Sequence, residues 1–424
     1  MKRIVLVSFL AAGAIASLLS GCSNNAAPGA GTHEIATQRA RAQSVNPDES
    51  IVPVHVLTWV SIVESNRMSP TQIAPYVDWA MVNVPEANAF SAAGMKTVLY
   101  TNPNRTTPNG KMYTNDETTF AHDCNGQRIT IMNKPGPVYQ LDPRSPNLAR
   151  VWSAWVTGPL RNNHYDAIFD DSADSVRTDS AVPCNFDQLA WTAASNMTNI
   201  NVDQVVIFNG LGTLTAGPTN PPPALGLHTT TYGGELEGCY GNVGPTFPLP
   251  IKTIWQNYEN SELAMNALHK LFVCRGFSAA PANTSYDLRI YQYASFLLSY
   301  DLATSMISEK FATPSHLEVE PESGLVALQP LTPTPTDISA LMSAPYTYGR
   351  QYAACYYNSV PIGSCAPVVN ADGPKHAHPF PWPGIYNHTL VLNGGGVLDG
   401  GTASTNGPPP SATINGESAV IAIQ

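Results

Sequence analysis

A short apolar run, "YDAIF" (165–169), ends directly in a cluster of aspartates, "DDSAD" (170–174). Carboxylates at the end of a strand can act as nucleophiles or as general acids and bases. Aspartates at such short spacing also cap helices or bind calcium, so that alternative stays open at this point. Because successive strand residues point to opposite faces, we expect Asp171 to share one face with Phe169 and Asp170 to lie on the other.

A second acidic stretch, "GGELEG" (233–238), contains Glu235 and Glu237, which fall on one face of a strand by the same alternation. Cleavage of a glycosidic bond needs two carboxyl groups that flank the bond. One of them protonates the leaving oxygen and needs a raised pKa, whereas the other stays ionised and attacks the anomeric carbon or activates water. The two acidic stretches could therefore supply the pair that a glycosidase needs.

Short apolar runs alternate with stretches of helical periodicity from residue 51 onward. This alternation is typical of βα units around a parallel sheet, and its length predicts an α/β fold, a (β/α)8 TIM barrel. A doubly wound sheet is the alternative, but no glycine-rich phosphate loop follows the first predicted strand. The predicted strands cover 54–60, 78–84, 95–103, 165–171, 203–211 and 232–241; the predicted helices cover 69–77, 145–160, 186–198 and 259–275, and 287–308 is expected to pass from strand to helix.

The pattern changes in the last quarter of the chain, where prolines and glycines separate short β-prone runs. We expect the barrel to span 51–314 and a small antiparallel β-sandwich to span 315–424. His376 and His378 stand two residues apart in this segment, where a surface loop is favoured over a metal site.

The stretch "YDAIFDDSADS" (165–175) resembles the "FDGVFLDTVDS" pattern of the endo-α-1,4-polygalactosaminidase family and related glycoside hydrolases. Phe169, Asp171 and Asp174 match the aromatic residue and two aspartates of that pattern. Asp170 stands where the family usually has leucine. Two further passages, "LDPRSP" (141–146) and "GGELEGCYG" (233–241), are similar to parts of the same families.

The resemblance implies a TIM barrel followed by a β-sandwich, with the catalytic pair supplied by the fourth and sixth strands. It makes Asp171 the expected nucleophile and Glu237 the expected acid/base, with Glu235 as the main competitor for the second role. It also implies retention of the anomeric configuration. The substrate that it suggests is a polysaccharide, possibly an amino-sugar polymer such as α-1,4-linked galactosamine.

Other side chains near the predicted strand ends are expected to bind the sugar. Aromatic rings pack well against the apolar faces of ligands, and a few polar groups fix their orientation. The expected substrate-binding residues are Asp170, Glu235, Trp59, Tyr100, Asn209 and Trp255.

The first residues predict an exported chain. Lys2 and Arg3 precede an apolar run that ends in "LLSGC", which resembles a bacterial lipoprotein signal with Cys22 as the lipidated residue. We expect a signal peptide over 1–21, a flexible tether over 22–50 and a lipid anchor in a bacterial cell envelope, with the protein facing the periplasm or the exterior.

Six further cysteines form an even set, which in an exported chain predicts three disulfides. Six cysteines allow about 15 pairings, so the sequence by itself does not fix the pattern. Pairing of nearest neighbours predicts the bonds Cys124–Cys184, Cys239–Cys274 and Cys355–Cys365.

Composition narrows the possible functions. The net charge of −10 and the absence of a basic stripe argue against nucleic acid as a partner. The sequence contains no HExxH, GxSxG or Walker-type GxxxxGK motif, and no cofactor or metal is expected. Besides a glycosidase, a non-catalytic surface lipoprotein that binds carbohydrate remains compatible with the sequence.

Overall fold

The structure is a computed structural model of the 424-residue chain. The expected signal peptide, Cys22 and the tether lie outside the residues that it describes. In the described part of the chain, no helix is long and apolar enough to cross a membrane. The described residues are 55–58, 69–75, 77–130, 136–162, 165–171, 182–187, 190–191, 193–195, 206–211, 231–240, 252–275, 286–309, 320–393, 401–409 and 412–424.

The part of the fold from residue 55 to residue 309 is built on parallel strands. Seven of them form a curled sheet in the order β2-β3-β6-β7-β8-β9-β10, and the short β1 pairs in parallel with both end strands. β4 and β5 form a separate antiparallel pair. The strands are β1 (His55–Thr58), β2 (Trp79–Met81), β3 (Lys96–Thr101), β4 (Arg105–Thr106), β5 (Tyr139–Gln140), β6 (Ala167–Asp170), β7 (Val206–Asn209), β8 (Gly233–Glu237), β9 (Leu271–Arg275) and β10 (Ser305–Glu309).

Helices cover the outside of this sheet. In α3 the residues Leu148, Trp152 and Val156 are fully buried at a spacing of four, which is the apolar stripe of a helix that packs on a core. The helices are α1 (Pro70–Ile73), α2 (Ala87–Ala92), α3 (Pro146–Asn162), α4 (Lys252–Ala267) and α5 (Tyr286–Ser299). The α/β class is thus as predicted, whereas the complete (β/α)8 pattern stays a prediction because the connection between β7 and β8 lies outside the described residues.

Two predicted elements differ from the observed ones. The helix expected over 259–275 ends at Ala267, and Leu271–Arg275 is the strand β9. The segment 287–308 passes from helix to strand rather than from strand to helix, since α5 precedes β10. Both errors have one cause: the strand β9 and the helix α5 are buried almost throughout, so neither carries a polar face, and periodicity does not tell strand from helix in such a segment.

The inside of the curled sheet is a compact apolar cluster. Its members include Val98, Phe169, Ile207, Val273 and Met306, each from a different strand and all with almost no exposure. The faces follow from the alternation of strand residues. Residues two positions beyond Phe169 and Ile207 therefore also point inward, at the carboxyl ends of their strands.

The carboxyl-terminal part is antiparallel, as predicted, and its main sheet has eight strands. One side of this sheet packs on α5 through β15 and β20. The expected boundary between 314 and 315 lies outside the described residues. The strands are β11 (Leu325–Pro330), β12 (Met342–Ala344), β13 (Thr347–Gly349), β14 (Tyr352–Tyr357), β15 (Val360–Asn370), β16 (His378–Pro379), β17 (His388–Asn393), β18 (Thr402–Asn406), β19 (Thr413–Ile414) and β20 (Ser418–Ile423), of which β16 and β19 form a separate pair.

All three expected disulfides are present. They join Cys124 to Cys184, Cys239 to Cys274, and Cys355 to Cys365. The first ties a loop region before α3 to a loop after β6, the second links β8 to β9, and the third links β14 to β15. Each disulfide restricts the conformations that the unfolded chain can adopt between its two cysteines, which favours the folded state.

Two fully buried carboxyl groups of α4 lie against β10 and α5. Glu262 accepts hydrogen bonds from Tyr240 Oη at 3.2 Å and from Ser305 Oγ at 2.7 Å. Glu259 accepts one from Ser299 Oγ. Burial raises the pKa of Glu262 to about 8 and raises that of Glu259 well above its ordinary value. Both groups are therefore neutral in the folded protein near pH 7.

We predict that the folded protein becomes less stable as the pH rises from 5 to 8. In this range Glu262 is ionised in the unfolded chain, where its pKa is near 4.5, but protonated in the folded chain. Each such group lowers the free energy of unfolding by up to about 1.4 kcal/mol per pH unit. Melting temperatures at pH 5, 6, 7 and 8 would measure the slope, and Glu262→Gln should make it shallower.

The matched control is Glu117→Gln. Glu117 is exposed and its pKa is lowered to about 2 by the hydrogen bond from Arg128, so its stabilising effect is lost only in the acidic range. The control should leave the slope between pH 5 and 8 unchanged. An identical slope in Glu262→Gln and wild type would contradict the assignment.

Candidate active site

Four neighbouring strands bring polar side chains to one end of the curled sheet. Tyr100 lies near the end of β3, Asp171 directly follows β6, and Asn209 ends β7. In β8 the side chains of Glu235 and Glu237 point to the same face, since they are two residues apart. The register places Asn209 beside Glu235, so these side chains meet at the carboxyl end of the strands.

The amide of Asn209 connects the two carboxylates. Its Nδ2 donates one hydrogen bond to Asp171 Oδ1 at 3.0 Å and another to Glu237 Oε2 at 2.9 Å. A side-chain amide carries two N–H groups, so one nitrogen can serve both acceptors. Two bonds of these lengths to a common nitrogen keep the two oxygens within about 6 Å of each other.

Tyr100 holds the other oxygen of Asp171. Its hydroxyl donates to Asp171 Oδ2 at 2.6 Å, a short bond of the kind expected between a hydroxyl and a carboxylate. Burial, together with the adjacent Asp171 charge, raises the pKa of Tyr100 far above its ordinary value. The phenol therefore stays protonated and keeps donating. Both oxygens of the partly buried Asp171 are thus engaged by neutral donors.

Arg275, at the end of β9, lies between the two glutamates of β8. Its Nη1 donates to Glu235 Oε1 at 3.4 Å and lies 3.5 Å from Glu237 Oε1. Glu235 is completely buried, whereas the side chain of Glu237 is 44% exposed. Burial is the main cause that raises the pKa of Glu235 to about 8, against the opposing effect of Arg275.

The backbone after Glu237 explains how Arg275 comes to this position. Gly238 has a φ of 80°, a left-handed conformation that glycine adopts without strain, and the chain turns there. After the turn, the N–H groups of Gly238 and Cys239 both donate to the carbonyl oxygen of Arg275, at 2.9 and 3.1 Å. The disulfide between Cys239 and Cys274 reinforces the same junction. The "EG" passage therefore fixes β8 to β9 at the site.

The structure brings together four of the residues selected from the sequence: Asp171, Glu237, Tyr100 and Asn209. Tyr100 and Asn209 were expected to bind sugar, but in the structure both donate to carboxylates of the site. Glu235 was expected to be a competitor for the acid/base role or a sugar ligand. It is fully buried and contacts Arg275 instead.

Two expected sugar-binding residues lie elsewhere. Asp170 is fully buried on the opposite face of β6 from Asp171, because adjacent strand residues alternate. Trp255 belongs to α4 rather than to a strand end; it is buried against Tyr348, and its Nε1 donates to Ser295 at 2.9 Å. Neither side chain therefore belongs to the group that meets at the carboxyl end of the strands. Trp59 and Asp174 lie outside the described residues.

Arg275 is the residue of this site that sequence reasoning missed. It ends the apolar run "LFVCR", which the sequence predicts as the end of a helix but which is the strand β9. A charged residue directly after a short apolar run is the same signal that drew attention to Asp171. Recognition of β9 as a strand would have found it.

The two histidines of the carboxyl-terminal segment share one acceptor. His376 Nδ1 and His378 Nε2 lie 2.9 and 3.1 Å from Asp372 Oδ2. Among the described residues, no group of three or more histidine, cysteine or acidic side chains is arranged to hold a metal ion.

Several solved structures are similar to this chain. One is the glycoside hydrolase domain of PelA from Pseudomonas aeruginosa, with 12% identity over 63% of this chain and 98% of that chain, at a TM-score of 0.40. Another is Ega3 from Aspergillus fumigatus in complex with galactosamine, with 8% identity, 64% and 96% coverage and a TM-score of 0.41. A third is the alpha-galactosidase TtGalA from Thermus thermophilus in complex with stachyose, with 12% identity, 65% coverage of each chain and a TM-score of 0.40.

No protein-family model matches the sequence, and no curated protein matches it either. At identities as low as those of the solved structures, the assignment of a function depends on this chain's own residues and their geometry.

We predict that Asn209→Ala lowers the free energy of unfolding by about 1–3 kcal/mol, because two carboxylates lose their shared donor. Urea denaturation at pH 7 would measure the loss. In a Glu237→Gln background the loss should be smaller, since an amide replaces one of the two acceptor carboxyl groups. Strictly additive effects in this double-mutant cycle would show that Asn209 and Glu237 are not coupled.

Proposed function

We propose that this protein is a glycoside hydrolase in which Asp171 is the nucleophile and Glu237 is the general acid and base. The observation that supports this most directly is the pair of hydrogen bonds through which Asn209 holds the two carboxyl groups together. Two carboxyl groups on opposite sides of one linkage are what glycosidic cleavage requires.

Accessibility favours the same two residues. Asp171 is partly buried and the side chain of Glu237 is 44% exposed, so a sugar at the end of the strands can reach both. Glu235 has no exposed surface and cannot touch a sugar there without rearrangement. This difference favours Glu237 over Glu235 as the residue that protonates the leaving oxygen.

The spacing favours a retaining mechanism. The two carboxyl groups of retaining enzymes lie about 5–5.5 Å apart, whereas inverting enzymes need about 6.5–9.5 Å to accommodate a water molecule. The upper limit of about 6 Å between Asp171 Oδ1 and Glu237 Oε2 is compatible with the first range.

In the first step an oxygen of Asp171 would attack the anomeric carbon while Glu237 gives its proton to the departing glycosidic oxygen. The bond from sugar to aglycone breaks and a glycosyl ester of Asp171 forms. In the second step Glu237 takes a proton from water, the water oxygen attacks the same carbon, and Asp171 leaves as a carboxylate. Tyr100 and Asn209 orient Asp171 for both steps through the hydrogen bonds described above.

The proposed substrate is a polysaccharide or oligosaccharide, with an amino-sugar polymer as the suggested class. This suggestion comes from the resemblance of "YDAIFDDSADS" and "GGELEGCYG" to the polygalactosaminidase family. The leader sequence supports a location in a bacterial cell envelope through a lipid on Cys22. Such a position would place the enzyme beside extracellular or periplasmic glycans.

The proposed function predicts that the soluble chain from residue 51 onward releases reducing ends from amino-sugar or neutral polysaccharides. Asp171→Asn should abolish turnover, because an amide cannot attack the anomeric carbon. Glu237→Gln should lower kcat by about 10²–10⁴-fold, the usual contribution of a positioned proton donor. Proton NMR of the first product formed should show the anomeric configuration of the substrate.

Asp166→Asn is the matched control, since Asp166 precedes the same strand at its opposite end and accepts a hydrogen bond from Thr97 N at 2.7 Å. It should retain activity. If wild type and both site variants release the same traces while still binding glycan, the protein is a carbohydrate-binding protein rather than an enzyme.

A further inference from the structure

A third carboxyl group lies beneath the proposed catalytic pair, and its surroundings differ from those of the other two. Glu235 precedes Glu237 by two residues on the same face of β8, but it lies deeper, with no exposed surface. Among the described residues its Oε2 has no hydrogen-bond partner. Buried polar atoms are normally paired, so a group in this condition calls for an explanation at a functional site.

Arg275 connects this buried carboxyl to the site. The backbone of Arg275 is in register with that of Glu237, and its side chain is only 9% exposed. One guanidinium nitrogen, Nη1, faces Oε1 of Glu235 at 3.4 Å and Oε1 of Glu237 at 3.5 Å. The guanidinium thus lies between the buried carboxyl of Glu235 and the exposed carboxyl of Glu237.

The protonation state of Glu235 determines how strongly the guanidinium of Arg275 interacts with Glu235 and how strongly with Glu237. The titratable groups that face Glu235 are Arg275 from β9, Glu237 from its own strand and Asp171 after β6. Burial and the two neighbouring carboxylates outweigh Arg275 and raise the pKa of Glu235 to about 8. Near pH 7 Glu235 is therefore neutral, its Oε1 accepts from Arg275, and the positive charge of Arg275 lies within reach of Glu237.

We propose that Glu235 and Arg275 are positioning residues of the hydrolase: Glu235 anchors the guanidinium of Arg275 against Glu237, and Arg275 thereby holds the Glu237 carboxyl opposite Asp171. This inference rests on the proposed function. Glu237 is then fixed through both oxygens, by Asn209 at Oε2 and by Arg275 at Oε1. A carboxyl that is half exposed at a strand end would otherwise be free to rotate away from the linkage.

Glu235→Gln tests the role of the anchor. Glutamine has the size of a neutral glutamate and keeps an oxygen for Arg275, so kcat at pH 6.5 should stay within about threefold of wild type. Glu235→Ala removes the anchor and should lower kcat at least about tenfold while KM changes by less than about threefold. Arg275→Lys should behave like Glu235→Ala, because the shorter lysine side chain does not carry a nitrogen to the position from which Nη1 reaches both carboxyls.

Two results of these experiments would overturn the proposal. If Glu235 were itself the proton donor, Glu235→Gln would be as inactive as Glu237→Gln, and the positioning role would be overturned. Equal activity of Glu235→Ala and wild type would overturn it as well.

The pH dependence separates this role from a purely structural one. Above about pH 8 wild-type Glu235 ionises and competes with Glu237 for Arg275, whereas the glutamine variant cannot ionise. The ratio of kcat/KM for Glu235→Gln to that of wild type should therefore be constant below pH 7 and rise above pH 8. The matched control is Glu262→Gln, which removes another buried carboxyl with a raised pKa but should leave its ratio to wild type flat. A flat ratio for Glu235→Gln contradicts the proposal.

Two measurements that do not depend on activity distinguish a failure of this proposal from a failure of the proposed function. A crystal structure of Glu235→Ala should show the guanidinium of Arg275 and the carboxyl of Glu237 displaced relative to Asp171; unchanged positions would overturn the anchor. Carbon NMR of labelled glutamate carboxyls should show titrations near pH 8 for both Glu235 and Glu262, of which Glu235→Gln removes one. Persistence of both titrations in that variant would also overturn the proposal. A wild-type chain that hydrolyses no glycan, yet gives both expected results, would overturn only the proposed function.

Discussion

The site depends on one amide group that lies between two carboxyl groups. Whenever both are ionised, carboxyl groups as close as those of Asp171 and Glu237 repel each other, and the interaction is strong where water is partly excluded. Asn209 offsets this repulsion because its two N–H groups face one carboxylate each. The arrangement is possible only because β7 lies between β6 and β8 in the sheet. Strand order, rather than proximity in the sequence, therefore determines that the pair exists.

Burial determines which acidic groups carry charge. Glu235, Glu259 and Glu262 are fully enclosed, and for all three the cost of removing a charge from water favours the neutral form. Asp171 and Glu237 instead reach solvent and are surrounded by donors. The same residue type thus serves as a neutral buried group in one layer and as a reactive group one layer above it. For Glu235 and Glu237, which share β8, the difference arises from depth in the sheet.

The carboxyl-terminal sheet supports the same framework from outside. It packs on α5, and polar side chains cross the junction: Arg350 donates to the Leu298 carbonyl at 2.9 Å, and Tyr293 donates to the Leu325 carbonyl at 2.6 Å. Arg289 of α5 forms a fully buried ion pair with Glu322. Breaking such a pair from one side leaves a buried charge without compensation, which is costly. These contacts fix α5, the helix that precedes β10, against the carboxyl-terminal segment.

The sequence by itself determined what depends on local alternation: the α/β class, the opposite faces of Asp170 and Asp171, the common face of Glu235 and Glu237, and the antiparallel character of the last segment. Nearest-neighbour pairing also predicted the three disulfides, although the sequence allowed many others. Only the tertiary structure decided the contacts between strands. Arg275 was not predicted as a site residue because the fully buried β9 has no polar face, so its pattern does not distinguish strand from helix. Trp255 lies in α4 and packs against Tyr348, a contact between distant segments that local pattern does not give. The depth that separates Glu235 from Glu237 was equally invisible, because alternation gives a side chain its face but not its distance from water.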